Sequence, residues 1–189
     1  MALRGHVFDK QLFSSDCCAL ITDTFLNKHS GIIKGCELTN TSNSVYIDDG
    51  YFLVKGRPLQ EEGGTTIEVE AGDLAGIYCK LVCEIDMSKT NTTSQLNQVS
   101  YKILESTSDY PTLIQEDITD GGTIYQFELA KFRRTLNGIE DFVDTRSFLN
   151  FDSIYSEIEK EIKKIEEGSI FVTKDSFEVV EEWEEEVNE

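Results

Sequence analysis

From residue 32 to residue 145 the chain is a series of short runs in which apolar and polar residues alternate, separated by turns rich in Gly and Asp. A period of two places successive side chains on opposite faces of a strand, so each run reads as a strand with one face buried. Parallel strands would need a crossover of a dozen or more residues between each pair, usually a helix. No stretch between these runs has helical spacing. The pattern therefore confines the region to antiparallel pairing and predicts an antiparallel β-sandwich or small barrel.

The sharpest local signal is VYIDDGYFLVKGR at residues 45–57. Val45 and Ile47, then Phe52 and Val54, have strand spacing, with Asp48-Asp49-Gly50 between them. Asp-Gly between β-rich runs predicts a hairpin, because Gly accepts the positive φ of a primed turn. On this reading the second strand ends at Gly56-Arg57. Residues 66–70 alternate, with Ile67 and Val69 inward and Glu68 and Glu70 outward. GIYCKLVCEI at residues 76–85 is the most continuously apolar run and reads as the central strand. Further strands are predicted at residues 99–104, 123–132 and 139–145.

Both ends of the chain differ from this. Asp9 or Ser14-Ser15-Asp16 can cap a helix running to about Asn27, with Leu12, Phe13, Leu20 and Phe25 as its imperfect stripe and Gly31 as its stop, although Phe13 and Ala19-Leu20-Ile21 suit a strand equally well. At Phe151 the period changes to about 3.6. Phe151, Ile154, Ile158, Ile162 and Ile165 form a narrow stripe spaced three, four, four and three, flanked by Glu and Lys, with Gly168 as a stop. A helix docked on its own sheet usually shows a wider apolar face. A narrow seam of isoleucine suits a short coiled coil, with a leaning towards three strands. These five residues are the expected oligomer interface. In the last segment Phe177, Val180, Trp183 and Val187 recur at helical spacing among many glutamates. The expected organisation is a β-rich domain with its N-terminal helix at 1–148, a helical oligomerisation segment at 149–168, and an acidic segment at 169–189.

The net charge of -19 opposes binding to phosphate backbones and to anionic membranes, so neither nucleic acid nor membrane is an expected partner. No apolar run is long enough to span a bilayer, and the first residues lack the apolar stretch of a secretion signal. The five cysteines (Cys17, Cys18, Cys36, Cys79 and Cys83) are odd in number and lack a regular framework, which favours free thiols over disulfides. Their spacing does not supply paired zinc ligands, and no metal or cofactor is expected.

Signs of catalysis are weak. His6 and His29 are the two histidines. A Ser-His-Asp arrangement could be built from His29, but no nucleophile elbow accompanies it. Asp48-Asp49-Gly50 lacks the full ligand pattern of a calcium loop. Gly63-Gly64 and Gly121-Gly122 read as turns and do not open a helix as a phosphate loop does. Acidic pairs are too common in this chain to single out a glycosidase. Catalytic residues are therefore expected to be none. For a carbohydrate-binding module the candidates are Tyr51, Tyr78, Tyr110 and Tyr125, but one-sided packing against the sheet is the favoured role for each.

Four stretches are similar to the N-terminal module of bacteriophage baseplate and tail-fibre proteins of Gram-positive phages and prophages. They are MALRGHVFDKQLFSSD, then His29-Ser30-Gly31-Ile32 with Gly35, then VYIDDGYFLVKGRPL, and finally the series LVCEIDMSKTNT, QVSYKIL, IYQFELAKFR and DFVDTRSFLNFDSIYSEI. Together they span roughly residues 1–165. The resemblance implies a non-enzymatic virion component assembled in the host cytoplasm. Its β domain would dock to other tail or baseplate proteins, and its helix would bundle copies into a homotrimer. Many such proteins continue into a receptor-binding domain, whereas this sequence runs into an acidic segment. The resemblance therefore points to an assembly or connector role before direct binding of host saccharide.

Overall fold

The computed structural model describes residues 14–149 and Lys160. The chain divides into two units, Met1–Leu149 and Asn150–Glu189, and every element below belongs to the first. Among the described residues the fold is mainly β, with three antiparallel sheets and one short helix. The expected oligomerisation stripe and the acidic segment lie outside the described residues.

Helix α1 (Ser15–Phe25) begins where Ser14 caps it, the hydroxyl accepting from the Cys17 N–H at 3.2 Å. It stops earlier than Gly31. Asn27 and Lys28 adopt left-handed φ of 48° and 62°, and their N–H groups bond back to Thr24 and Asp23 in a Schellman closure. The buried face also differs from the expected stripe. Ala19 and Asp23 point inward, whereas Leu20 and Phe25 are exposed. Small residues are needed there because the helix backbone lies directly on a β-turn.

The next six strands are β1 (Gly31–Gly35), β2 (Leu38–Asn40), β3 (Ser44–Ile47), β4 (Gly50–Val54), β5 (Arg57–Glu61) and β6 (Thr65–Glu68). They form two sheets of order β1-β4-β5 and β2-β3-β6. Laid out along the chain, these are three antiparallel passes, each bent once at residues 36–37, 48–49 and 62–64. The hairpin expected at Asp48-Asp49-Gly50 is therefore incorrect. Those residues are the bend between β3 and β4, which belong to different sheets and do not pair. The bend is closed by the neighbouring pass: Cys36 N–H donates to Asp49 O and Asp48 N–H to Glu37 O, both at 2.9 Å. Gly50 is required for closeness, since a Cβ there would lie 2.4 Å from Cys36 N. The actual reversal is two residues long, at Lys55-Gly56, with φ of 48° and 69° as a primed turn demands.

The remaining strands, β7 (Ile77–Asp86), β8 (Val99–Ser106), β9 (Ile124–Thr135) and β10 (Gly138–Asp144), form a sheet of order β10-β9-β7-β8. β7 is interior, as its apolar run implies. Cys79, Leu81, Cys83 and Ile85 alternate towards one core shared with Ile32, Val45, Ile47, Phe52 and Val54 of the bent passes. Ile67 and Val69 pack on the same core while Glu68 and Glu70 are exposed. On the opposite face Glu84 is buried, held by Lys102 and by the Gln126 amide at 2.9 Å. The Gln126 carbonyl oxygen in turn accepts from Ile114 N–H at 2.8 Å, fastening the loop ahead of β9 to the sheet. After β10 the chain returns to the edge of β1, where Ile32 N–H bonds Ser147 O and Leu149 N–H bonds Ile32 O, each at 2.8 Å.

Candidate functional site

A pocket with polar lining arises from a gap along β9. Two segments share that edge. Residues 114–116 pair with its start through Glu116 N–H to Ile124 O at 3.0 Å and Gln126 N–H to Ile114 O at 2.8 Å. Further along, Thr145 N–H bonds Leu129 O at 3.0 Å, and β10 pairs from Ala130 onward. Between them, at Phe127 and Glu128, lies a pocket of about 250 Å³. Lys28, His29 and Ser30, from the turn after α1, close its other side, with Leu113, Gln115, Tyr125, Thr145 and Ser147 completing the wall.

Several of these groups are tied to one another. Ser30 Oγ accepts the Lys55 N–H at 2.9 Å. Ser147 Oγ donates to Ser30 O at 3.2 Å. Burial pushes the Tyr125 phenol up from its ordinary value, so it stays protonated. The Lys55 ammonium stands 5.6 Å from the Tyr125 ring centroid and 3.7 Å from Asp23 Oδ2, linking the pocket wall to the helix. Glu128 is ion-paired with Lys80 at 2.8 Å. Thr145 Oγ1 is buried without a hydrogen-bond partner. The Ser30 hydroxyl, by holding the Lys55 N–H, braces the segment after α1 against the turn at Lys55-Gly56.

The four tyrosines singled out as saccharide candidates fall at three separate places. Tyr51 is exposed on β4. Tyr78 and Tyr110 meet edge to face at 5.2 Å between ring centroids. Arg133 lies over Tyr78 at 5.7 Å and Lys131 over Tyr110 at 5.3 Å, so cations occupy a side of both rings. Tyr125 borders the pocket. Sequence reading singled out His29 and Tyr125 of this site, and not Lys28, Gln115, Glu128, Thr145 or Ser147. No spacing signal could have found them, because they lie on separate segments joined by long-range pairing.

The sequence reading expected buried free thiols, and the structure buries three of the five, leaving Cys17 half-buried and Cys18 exposed on α1. All five are free, with Cys36, Cys79 and Cys83 buried. Burial pushes their pKa values up to about 11, 11 and 12, which keeps them as inert thiols. Among the described residues no group of three or more His, Cys, Asp or Glu side chains is placed to hold a metal ion. No helix among them is long and apolar enough to cross a membrane. The proposed oligomer-interface residues Phe151, Ile154, Ile158, Ile162 and Ile165 lie outside the described residues. No protein-family model matches this chain, and no curated protein matches it.

Proposed function

We propose that this protein is a non-enzymatic structural component of a phage or prophage tail or baseplate, acting as an assembly or connector module. In this reading the bent three-pass meander and the four-stranded sheet form a β-sandwich that docks to neighbouring tail proteins. The segment that follows is a coiled-coil-like helix joining copies into a homotrimer, and the protein resides in the virion tail. The observation that carries the reading is the isoleucine stripe at Phe151, Ile154, Ile158, Ile162 and Ile165, which follows directly on the unit ending at Leu149. Seam residues of that kind gain their burial from identical chains. Light scattering on the purified full chain tests it. A trimer is expected at micromolar concentration, and Ile158→Asp with Ile162→Asp should dissociate it while far-ultraviolet circular dichroism keeps its β signal. A wild-type monomer that persists on concentration, or an oligomer that survives both substitutions, refutes it.

A second reading, a saccharide-binding module of a tail fibre, is supported by one observation: Tyr125 borders a polar pocket. A glycan array carrying cell-wall saccharides tests it, and absence of binding removes it.

A further inference from the structure

We propose that the apolar groove between α1 and the β7–β8 connection is the docking site for residues 1–13 of this same chain. The groove measures about 420 Å³. Cys18 and Ala19 of α1, Pro58 and Leu59 of β5, and Met87 and Leu96 between β7 and β8 line it. Its polar groups are already engaged. Arg57 pairs with Asp16 at 2.9 Å, and Asn91 Nδ2 donates to Gln98 Oε1 at 2.8 Å. What stays open is hydrocarbon, and Leu96 is 56% exposed. Along α1 the groove continues into Ile21 and Phe25, which follow Cys18 at helical spacing, with Phe25 81% exposed. Between Asp16 and Lys28 every exposed residue is uncharged, whereas the solvent face of a helix ordinarily carries charge.

The position of the cap chooses the occupant. Ser14 caps α1 and Ser15 lines the groove, so the upstream chain arrives at its rim. An apolar residue just before a cap packs against the fourth residue of the helix. Here that pair is Phe13 and Cys18, and Cys18 is groove wall. Leu3, Val7, Phe8 and Leu12 supply further apolar groups. Arg4 and Lys10 outnumber Asp9, and the net charge of -19 draws a basic segment inward. Reach is ample: thirteen extended residues span about 43 Å, against about 16 Å for α1. A second copy fits less well. The exposed parts of Ile21, Phe25 and Leu96 fall well short of the roughly 800 Å² per partner that a stable dimer buries.

Methyl NMR on the full chain, labelled at methionine, tests this. Met87 lies in the groove, and Met1 is the other methionine. The Met87 methyl is expected to show cross-peaks to phenylalanine ring protons. Phe8→Ser with Phe13→Ser should remove them and move the Met87 resonance, while far-ultraviolet circular dichroism stays unchanged. A synthetic peptide of residues 1–13, added to that variant, should return Met87 saturably to its wild-type position. Leu136→Ser, at the β9–β10 turn, should leave Met87 where it is. A Met87 resonance that is the same in the wild type and the double variant overturns the proposal, as does a peptide without effect. A wild-type position that changes on dilution assigns the groove to a second copy and overturns it too.

Discussion

Replacing Gly56 by alanine should loosen helix α1 from the β domain, and the structure gives the size of the effect. Gly56 sits in the two-residue turn with φ of +69°, where an L side chain costs about 1–2 kcal/mol. A Cβ there would also lie 1.9 Å from the Ala19 carbonyl oxygen and 2.8 Å from Asp23 N. Both neighbours are helix backbone and cannot swing aside. The helix must retreat by about 1 Å, which stretches the 3.7 Å Asp23–Lys55 pair and uncovers Ala19. That pair is 3% and 13% exposed, so weakening it leaves a carboxylate poorly solvated and adds about 2–3 kcal/mol. Gly63 provides the control. Its φ is +79°, but nothing lies within 4 Å of its would-be Cβ, so Gly63→Ala carries the backbone cost alone. Urea unfolding should place Gly56→Ala at least about 2 kcal/mol below Gly63→Ala, a gap of roughly 4–8 °C in melting temperature. Amide exchange should rise across Ser15–Phe25 and stay slow across Ile77–Asp86. Two variants within about 0.5 kcal/mol of each other would refute the argument that the turn and the helix backbone are in contact.

Three further outcomes follow from the same contacts. Gln126→Leu removes both the donor to Glu84 and the acceptor of Ile114 N–H, and should cost about 2–4 kcal/mol with faster exchange in residues 111–118, read by urea unfolding and mass spectrometry. A thiol reagent at pH 8 should label Cys17 and Cys18 of the native protein and reach Cys36, Cys79 and Cys83 only after unfolding; rapid labelling of a third thiol contradicts their burial. The Glu116 carboxylate is held below its ordinary 4.5 by the N–H groups of Thr123 and Ile124 and by the Thr123 hydroxyl. A depressed carboxyl stabilises above its unfolded pKa and loses that contribution as pH falls through its folded pKa. The Thr123 and Ile124 amide resonances should therefore titrate with a midpoint below 4.5, and a midpoint at or above it would show that these bonds do not form.

The candidate site was legible only in fragments. His29 and Tyr125 attract notice as residue types, but their meeting depends on the turn after α1 lying against the start of β9. Glu128 and Thr145 are unremarkable in sequence. Their place in the pocket follows from a gap between two segments that pair with different halves of one strand, and no local pattern encodes such a gap. The stripe from Phe151 to Ile165 is the reverse case: its spacing is plain in the sequence, and its partner must be established by assembly measurements.

By itself the sequence marked β3, β4 and β6 to β10, because a period of two is a local property of alternating residues, but it did not mark the short strands β1, β2 and β5. It also offered Ser14 as one of several candidate caps beside Asp9, Ser15 and Asp16, and the Ser14 hydroxyl is the one that accepts the Cys17 N–H. Only the tertiary structure decided that Asp48-Asp49-Gly50 is a bend and that the chain reverses at Lys55-Gly56 instead. Asp-Gly suits a turn or a close crossing equally well. What separates the two is the adjoining pass, whose Cys36 and Glu37 take up the hydrogen bonds of Asp49 and Asp48 and leave no room for a Cβ at residue 50.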